Sequence, residues 1–185
     1  AMVDSQGAQR VRMRLCGDRI RLRKVTAEDC ELLWHWSNDP GVRENSFTHD
    51  PIAWDAHINW FTKRMQDPRS YQYVGVDRSD VPVGRVRFDI TGGTARVSVA
   101  VASDHRGKGY GTDLIEQGAS IMFHQTWVTE IHAFVKPSNT ASMRLFEKCD
   151  FKKVGTATVY DQEAIHYVLP RSREQDSNPR RIVPR

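Results

Sequence analysis

Long hydrophobic runs are missing from this 185-residue chain, and their absence excludes a membrane-spanning helix, which needs about 20 consecutive apolar residues. No apolar core of the kind that a signal peptide carries stands near its start, so the expected location is the cytoplasm. Cysteine is scarce: Cys16, Cys30 and Cys149 are odd in number and far apart. That pattern argues against a disulfide framework and a zinc site, and leaves free thiols in a reducing compartment. No internal repeat is present. Net charge is small, +4, and uneven: residues 1–24 hold seven Lys/Arg against two Asp/Glu, and residues 170–185 hold five against two. The stretch between is net acidic. Basic ends around an acidic middle are not the pattern of a nucleic-acid module, which gathers base on a folded face, so no nucleic-acid partner is expected.

What is there is an ordinary globular composition, 39% hydrophobic and 27% charged, enough for one domain with its own core. Residues 1–18 are polar and Arg-rich and read as a mobile arm. Residues 19–169 read as the folded domain. Residues 170–185, with Pro170, Pro179 and Pro184 among Arg, Ser, Asn and Asp, read as a disordered basic tail.

Periodicity predicts the order β, α, α, a three-strand meander, then α, β, α, β, β, a mixed α+β domain. Residues 20–23 suit a first strand. Thr26 followed by Asp29 starts a helix through Cys30, Leu33 and Trp34 that ends near Asn38-Asp39-Pro40. Asp50-Pro51 reads as the start of a second helix, with Trp54, His57, Ile58, Phe61 and Met65 along one face. Strands are predicted at 71–77, 81–90 and 95–102. A helix follows with Leu114, Ile115, Gly118, Ala119, Met122 and Phe123 as its stripe, then a strand at 131–135. Asn139 caps a helix with Met143, Leu145, Phe146 and Cys149 inward, and strands at 151–159 and 165–169 close the chain.

The segment that carries chemistry is Arg106-Gly107-Lys108-Gly109-Tyr110-Gly111, between a strand and a helix. Glycines there let a ligand approach the backbone, and the first helical turn offers unpaired N–H groups and partial positive charge, an arrangement suited to a pyrophosphate. A plain structural turn is the competing reading. The Walker spacing is absent, and a Rossmann fingerprint would need glycine at Thr112, so neither nucleotide motif fits.

Arg106-x-x-Gly109-x-Gly111, after "VSVAVASDH" and before a helix containing Leu114, resembles the acetyl-CoA signature of the GNAT superfamily of N-acetyltransferases. The later "VKPSNTASMRLFEKCDF" (135–151) resembles that family's second motif, a strand leading to Asn and a helix. Together the resemblance covers about residues 20–169. It implies a mostly antiparallel central sheet with one parallel pair that splays apart, flanked by helices. It also implies a pantetheine arm against the backbone of Val99, Ala100 and Val101. The pyrophosphate would lie on Arg106, Gly107, Lys108, Gly109, Tyr110, Gly111 and Thr112, with Asn139, Ser142 and Phe146 at the coenzyme or its acetyl end. Asn139 also reads as a simple helix cap.

The family passes acetyl directly from the thioester to an amine. An alkyl amine of pKa about 10 is neutral only about one part in a thousand at pH 7, so the site needs a proton acceptor and a setting that disfavours ammonium. The developing oxyanion needs a donor, which a free backbone N–H near Val101 supplies. Many relatives place a tyrosine, the usual general acid, where this chain has Phe146, and Phe has no proton to give. Ser142, another hydroxyl or water takes that role, or the thiolate leaves unprotonated. Asp150 replaces a frequent Gly after the helix. Candidates for the base are His132, on the strand face with Phe134 and Lys136, and Asp89, beside Arg85 and Arg87; for each the competing reading is structural.

The first half, "LRKVTAEDCELLWHWSNDPGVRENSFTHDPIAWDAHINWF" with "PVGRVRFDI", resembles the N-acetyltransferases of the pseudaminic acid pathway, which act on an amino group of a UDP-linked sugar. The resemblance implies an acceptor held by Arg43, Asn45, Ser46, His49, Trp60, Arg85 and Arg87: guanidinium for phosphate, amide and hydroxyl for sugar, indole for stacking. The motif around Trp34 and Trp36 also occurs in relatives that acetylate ribosomal-protein N-termini. The alternatives are therefore a protein N-terminus or other small amine as acceptor, and a catalytically silent coenzyme A-binding module. The expected partner is a small-molecule amine, with a homodimer as one option and no metal.

Overall fold

The computed structural model describes residues 19–176, so the expected arm at 1–18 and the end of the expected tail lie outside the described residues. The first half contains β1 (Ile20–Lys24), α1 (Cys30–Ser37), α2 (Pro40–Asn45), α3 (Trp54–Gln66), β2 (Ser70–Asp77), β3 (Pro82–Thr91) and β4 (Thr94–Val101). The second half contains α4 (Tyr110–Gln125), β5 (Glu130–Val135), α5 (Thr140–Lys148), β6 (Lys152–Val159), β7 (Gln162–Pro170) and the short α6 (Arg173–Asp176).

The seven strands form one sheet in the order β1-β2-β3-β4-β5-β7-β6. Every neighbouring pair is antiparallel except β4 and β5, which run parallel. That parallel ladder registers only Thr94 with Glu130, Ala95 with Ile131 and Arg96 with His132. Beyond Arg96, β4 stays paired to β3 as far as Val101, and β5 to β7 as far as Val135. The sheet therefore opens between these two strands, as the resemblance implies.

Alternation along the strands gives the sheet two unlike faces. On one, Val86, Phe88, Ile90, Val97 and Ile131 pack under the stripe of α4, whose six expected inner residues are all buried. Gly118 lets that helix settle close: a Cβ there would stand 2.6 Å from Cε2 of Phe88. On the other face, α1 and α3 close a smaller cluster of Val25, Leu33, Phe61, Val74 and Val76. The α1 entry is set by Asp29, which accepts from the Thr26 N–H at 2.8 Å and takes a two-point bond from Arg23 at 2.7 Å each.

Three boundaries differ from the expectation. The second long helix starts at Trp54, with Ala53 in the N-cap position and no side-chain cap, not at Asp50-Pro51. Ile52 is pinned in the connecting segment: its N–H donates to Asn38 Oδ1 at 2.7 Å, and its carbonyl accepts from Asn38 Nδ2 and Trp34 Nε1. The face assigned to that helix is buried only at His57 and Phe61, while Trp54, Ile58 and Met65 are exposed, because the helix touches the sheet along a narrow stripe. Pro40 does not only stop α1; it is the first residue of α2, whose N–H groups at Gly41 and Val42 are capped by Asp39. The last strand runs past the expected boundary at 169. Pro170 still pairs with Glu130, and Arg171 donates from its backbone to Thr129. Asp150 does take the left-handed conformation, φ 67°.

Candidate active site

A cleft of about 1330 Å³ runs from the start of α4, past the gap between β4 and β5, to the space under α2 and α3. At one end lies the glycine loop. Gly107 and Gly109 have φ of 76° and 84°, the region in which a side chain is costly. A Cβ on Gly107 would meet nothing within 4 Å. Gly109 is the N-cap of the 16-residue α4, and no side chain caps that end, so the first-turn N–H groups are left for a ligand. Arg19 braces the turn from outside, donating to the Lys108 carbonyl at 2.6 Å, pairing with Asp113 at 2.6 Å and lying over the Tyr110 ring. Arg106 points back, pairing with Asp39 at 2.6 Å and donating to the Val101 carbonyl. Uncapped main-chain donors in a glycine turn fit a pyrophosphate, and the open β4–β5 edge fits an extended amide-bearing arm.

In the middle of the cleft stand Val99, Ala100 and Val101 on one side and Asn139, Ser142 and Phe146 on the other. Asn139 caps α5: Oδ1 accepts from the Ser142 N–H at 3.1 Å, and Nδ2 donates to Ser142 Oγ at 2.9 Å. That second bond occupies an oxygen lone pair and leaves the hydroxyl proton to be given elsewhere. Phe146 is buried, its ring against Phe151 and Tyr167.

The far end is built on the second face of the sheet. Arg85, Arg87 and Asp89 on β3 stand opposite Ala100, Ser98 and Arg96 on β4, with Trp60 and Arg64 of α3 above. Asp89 accepts from Arg64 at 2.5 Å, Arg87 at 2.9 Å and the Ser70 hydroxyl at 3.0 Å. Arg64 and Arg87 both lie over the Trp60 ring, and Arg96 lies over Phe134. Burial pushes the Arg87 guanidinium below its ordinary value, opposed by Asp89.

Of the expected site residues, Lys108, His49 and His132 do not line the cleft; the others do. His132 is held by Glu130 at 2.9 Å and His166 at 2.7 Å. With three hydrogen bonds from two guanidinium groups and a hydroxyl on its roughly four acceptor sites, Asp89 reads as an anchor for the floor more than as a base. Arg43, Asn45 and Ser46 line the cleft but spend their polar atoms locally. Arg43 donates to the carbonyls of Ser37, Thr48 and Asp50, Asn45 to that of Gly41, and Ser46 to that of Val42. His49 meets Lys136, whose ammonium also donates to the Glu44 and Ser46 carbonyls. Cys149 is buried and its thiol pushed up to about 12, with the charges of Glu116 and Asp150 adding to burial, so it is no nucleophile.

Sequence reasoning missed Arg64, Arg96 and Tyr160 as lining residues. The alternation of Arg96 with Ser98 on β4 was the available signal. Tyr160, exposed and at φ 47° in the β6–β7 turn, gave none.

The family model described as "Acetyltransferase (GNAT) domain" matches residues 19–152. The aminoglycoside N(6')-acetyltransferase type 1 of Klebsiella pneumoniae is 24% identical over 172 residues, covering 83% of this chain and 84% of its own. The spermidine N(1)-acetyltransferase of Vibrio cholerae is 21% identical over 140 residues, covering 74% and 81%. Among solved structures, spermidine N-acetyltransferase from Vibrio cholerae in complex with CoA and spermine has a TM-score of 0.75 at 19% identity, over 82% of this chain and 95% of that one. Aminoglycoside acetyltransferase AAC(6')-Ib in complex with coenzyme A has a TM-score of 0.72 at 23% identity, over 84% and 96%.

Proposed function

The chain belongs to the acetyltransferase (GNAT) family, and we propose that it transfers acetyl from acetyl-CoA to a primary amine of a small molecule, a nucleotide-linked amino sugar by preference. The observation that carries the reading is the single cleft joining an uncapped helix start, an open strand edge and a polar lobe under α2 and α3. Acetyl-CoA supplies an activated acyl group when bound. Main-chain N–H groups from Gly107 to Thr112 would hold its pyrophosphate, and the backbone of Val99 to Val101 would orient the arm. A free N–H at the edge of β4 near Val101 stabilises negative charge on the acyl oxygen.

Asp89 is engaged by Arg64 and His57 by the Cys30 carbonyl, and the surroundings make a strong base less necessary. Arg85, Arg87 and Arg96 form a cationic wall on the same sheet face, and nearby positive charge disfavours the ammonium form of the acceptor. Water in the wide cleft carries the released proton. Ser142 replaces the missing phenol as proton donor to the thiolate.

The nucleotide-sugar acceptor rests on the first-half resemblance and on Trp60 and the arginines in the acceptor lobe. The named relatives act on aminoglycosides and spermidine, whereas this lobe is basic. The test is thioester consumption in a screen of UDP-amino sugars, aminoglycosides, spermidine and peptide N-termini. Turnover with the UDP-amino sugar and little with the polycations is expected. Preference for a polycation or a peptide overturns the acceptor, and coenzyme A affinity without turnover on any amine makes the protein a silent binder.

A further inference from the structure

One side chain in the acceptor lobe lacks the partner that its chemistry demands. Arg85 is only 9% exposed and lines the cleft; its backbone belongs to the sheet, but its guanidinium makes no hydrogen bond to a described residue, and Nη1 is buried without a partner. The nearest source of compensation is already used, since Asp89 is shared by Arg64, Arg87 and Ser70. Arg43, whose charge also acts on Arg85, is tied to backbone carbonyls. Gln72 Oε1 on the same sheet face is likewise without a partner, but an amide oxygen is neutral, so even a bridging water between the two would leave the charge uncompensated.

Burial pulls the Arg85 guanidinium down to about 9, and the charges of Arg87 and Arg43 act the same way against Asp89. Folding has placed a cation where water is scarce and like charges crowd it, an arrangement that favours neither stability nor a structural role. Across the whole cleft nine lining residues are Lys or Arg and two are Asp.

We infer that Arg85 is the specificity-determining residue of the acceptor lobe, an anion seat that selects amines carrying a phosphate or carboxylate and rejects polycations. The inference rests on the acetyl-transfer reading and adds the charge class of its second substrate. The position fits. Arg85 faces Ala100 across one strand spacing, about 4.8 Å, beside the stretch of β4 that β5 no longer covers. An anion seated there lies close to the acyl end, and its amine is directed toward the gap. The planar fork of arginine suits the two oxygens of either anion.

The test compares wild type with Arg85→Met and Arg85→Lys, each saturated with acetyl-CoA for the kinetics and with coenzyme A for the melting measurements, so that the phosphate loop is filled throughout. Three amines distinguish the sources: a UDP-amino sugar for phosphate, aspartate for carboxylate, spermidine for the polycation. For whichever anionic amine is turned over, KM should rise about thirtyfold or more in Arg85→Met, with a smaller rise in Arg85→Lys and unchanged coenzyme A affinity in both. Without an acceptor, the melting temperature of Arg85→Met should equal or exceed that of wild type, because an uncompensated charge has been removed; a merely structural arginine predicts a fall. In wild type saturated with coenzyme A, inorganic phosphate should raise the melting temperature, and that rise should vanish in Arg85→Met. An unchanged KM, a destabilised Arg85→Met or a preference for spermidine overturns the anion seat while leaving acetyl transfer standing. No turnover with any amine, alongside intact coenzyme A binding, overturns the transfer reading instead.

Discussion

Ser142 is the residue on which the missing tyrosine bears most directly. Its oxygen is engaged by Asn139 while its proton is free, so it can donate but is poorly placed to accept. Ser142→Ala should lower kcat about 10²-fold while coenzyme A affinity stays near wild type; steady-state kinetics with a titration of coenzyme A separates the two, and an unchanged kcat removes Ser142 from the reaction. His57 plays a different part. It is buried under α3 with Nε2 on the Cys30 carbonyl at 2.7 Å. Burial holds its pKa below the ordinary 6.5, the Cys30 bond opposes, and Arg85 adds to the lowering. Its contribution to stability is therefore fully present above pH 6.5 and is lost as pH falls through the lowered value. Denaturation midpoints of wild type should drop between pH 7.5 and 5, and His57→Gln, which keeps a donor and cannot titrate, should show a shallower drop. The residue that still slopes the variant is His166, lowered by burial and by His132 against Glu130. Asn139 was legible in the sequence because its cap is local. The partners of His132 and Asp89, His166 and Arg64, were not legible because they come from 34 and 25 residues away.

At the scale of elements, α4 has two parts to play, since one helix supplies both the uncapped start proposed for the phosphates and the main cover of the sheet. Its stripe could be read at the helical period because everything it buries lies on one flat face. Gly118 is the tight point. Alanine in a helix interior ordinarily stabilises relative to glycine, yet here its methyl would run into the Phe88 ring. Gly118→Ala should cost about 1–3 kcal/mol in chemical denaturation, and a stabilised variant would mean that the helix does not seat this closely. The start of α3 and the existence of α2 were not legible. Both are decided by Asn38, Trp34 and Asp39, whose bonds run to Ile52 and Arg106, and no local pattern announces such contacts. The Arg106–Asp39 pair ties the start of α2 to the glycine loop, so the two ends of the cleft are physically joined.

For the whole molecule, the glycine turn and the second motif announced the fold because they mark the place where the sheet must open. The charge of the cleft was hidden. The middle of the chain is net acidic, yet folding brings its arginines onto one wall of the cleft, so the premise that the folded part lacks a basic face does not hold. The central claim is that main-chain donors at the start of α4 and the open edge of β4 hold coenzyme A and aim its acyl end at the basic lobe. A crystal structure with acetyl-CoA tests this most directly. The pyrophosphate is expected on the N–H groups of residues 107–112 and the arm between β4 and β5, ending near Ser142. An unoccupied glycine loop with coenzyme bound elsewhere, or strands that stay paired beyond Arg96, would contradict it.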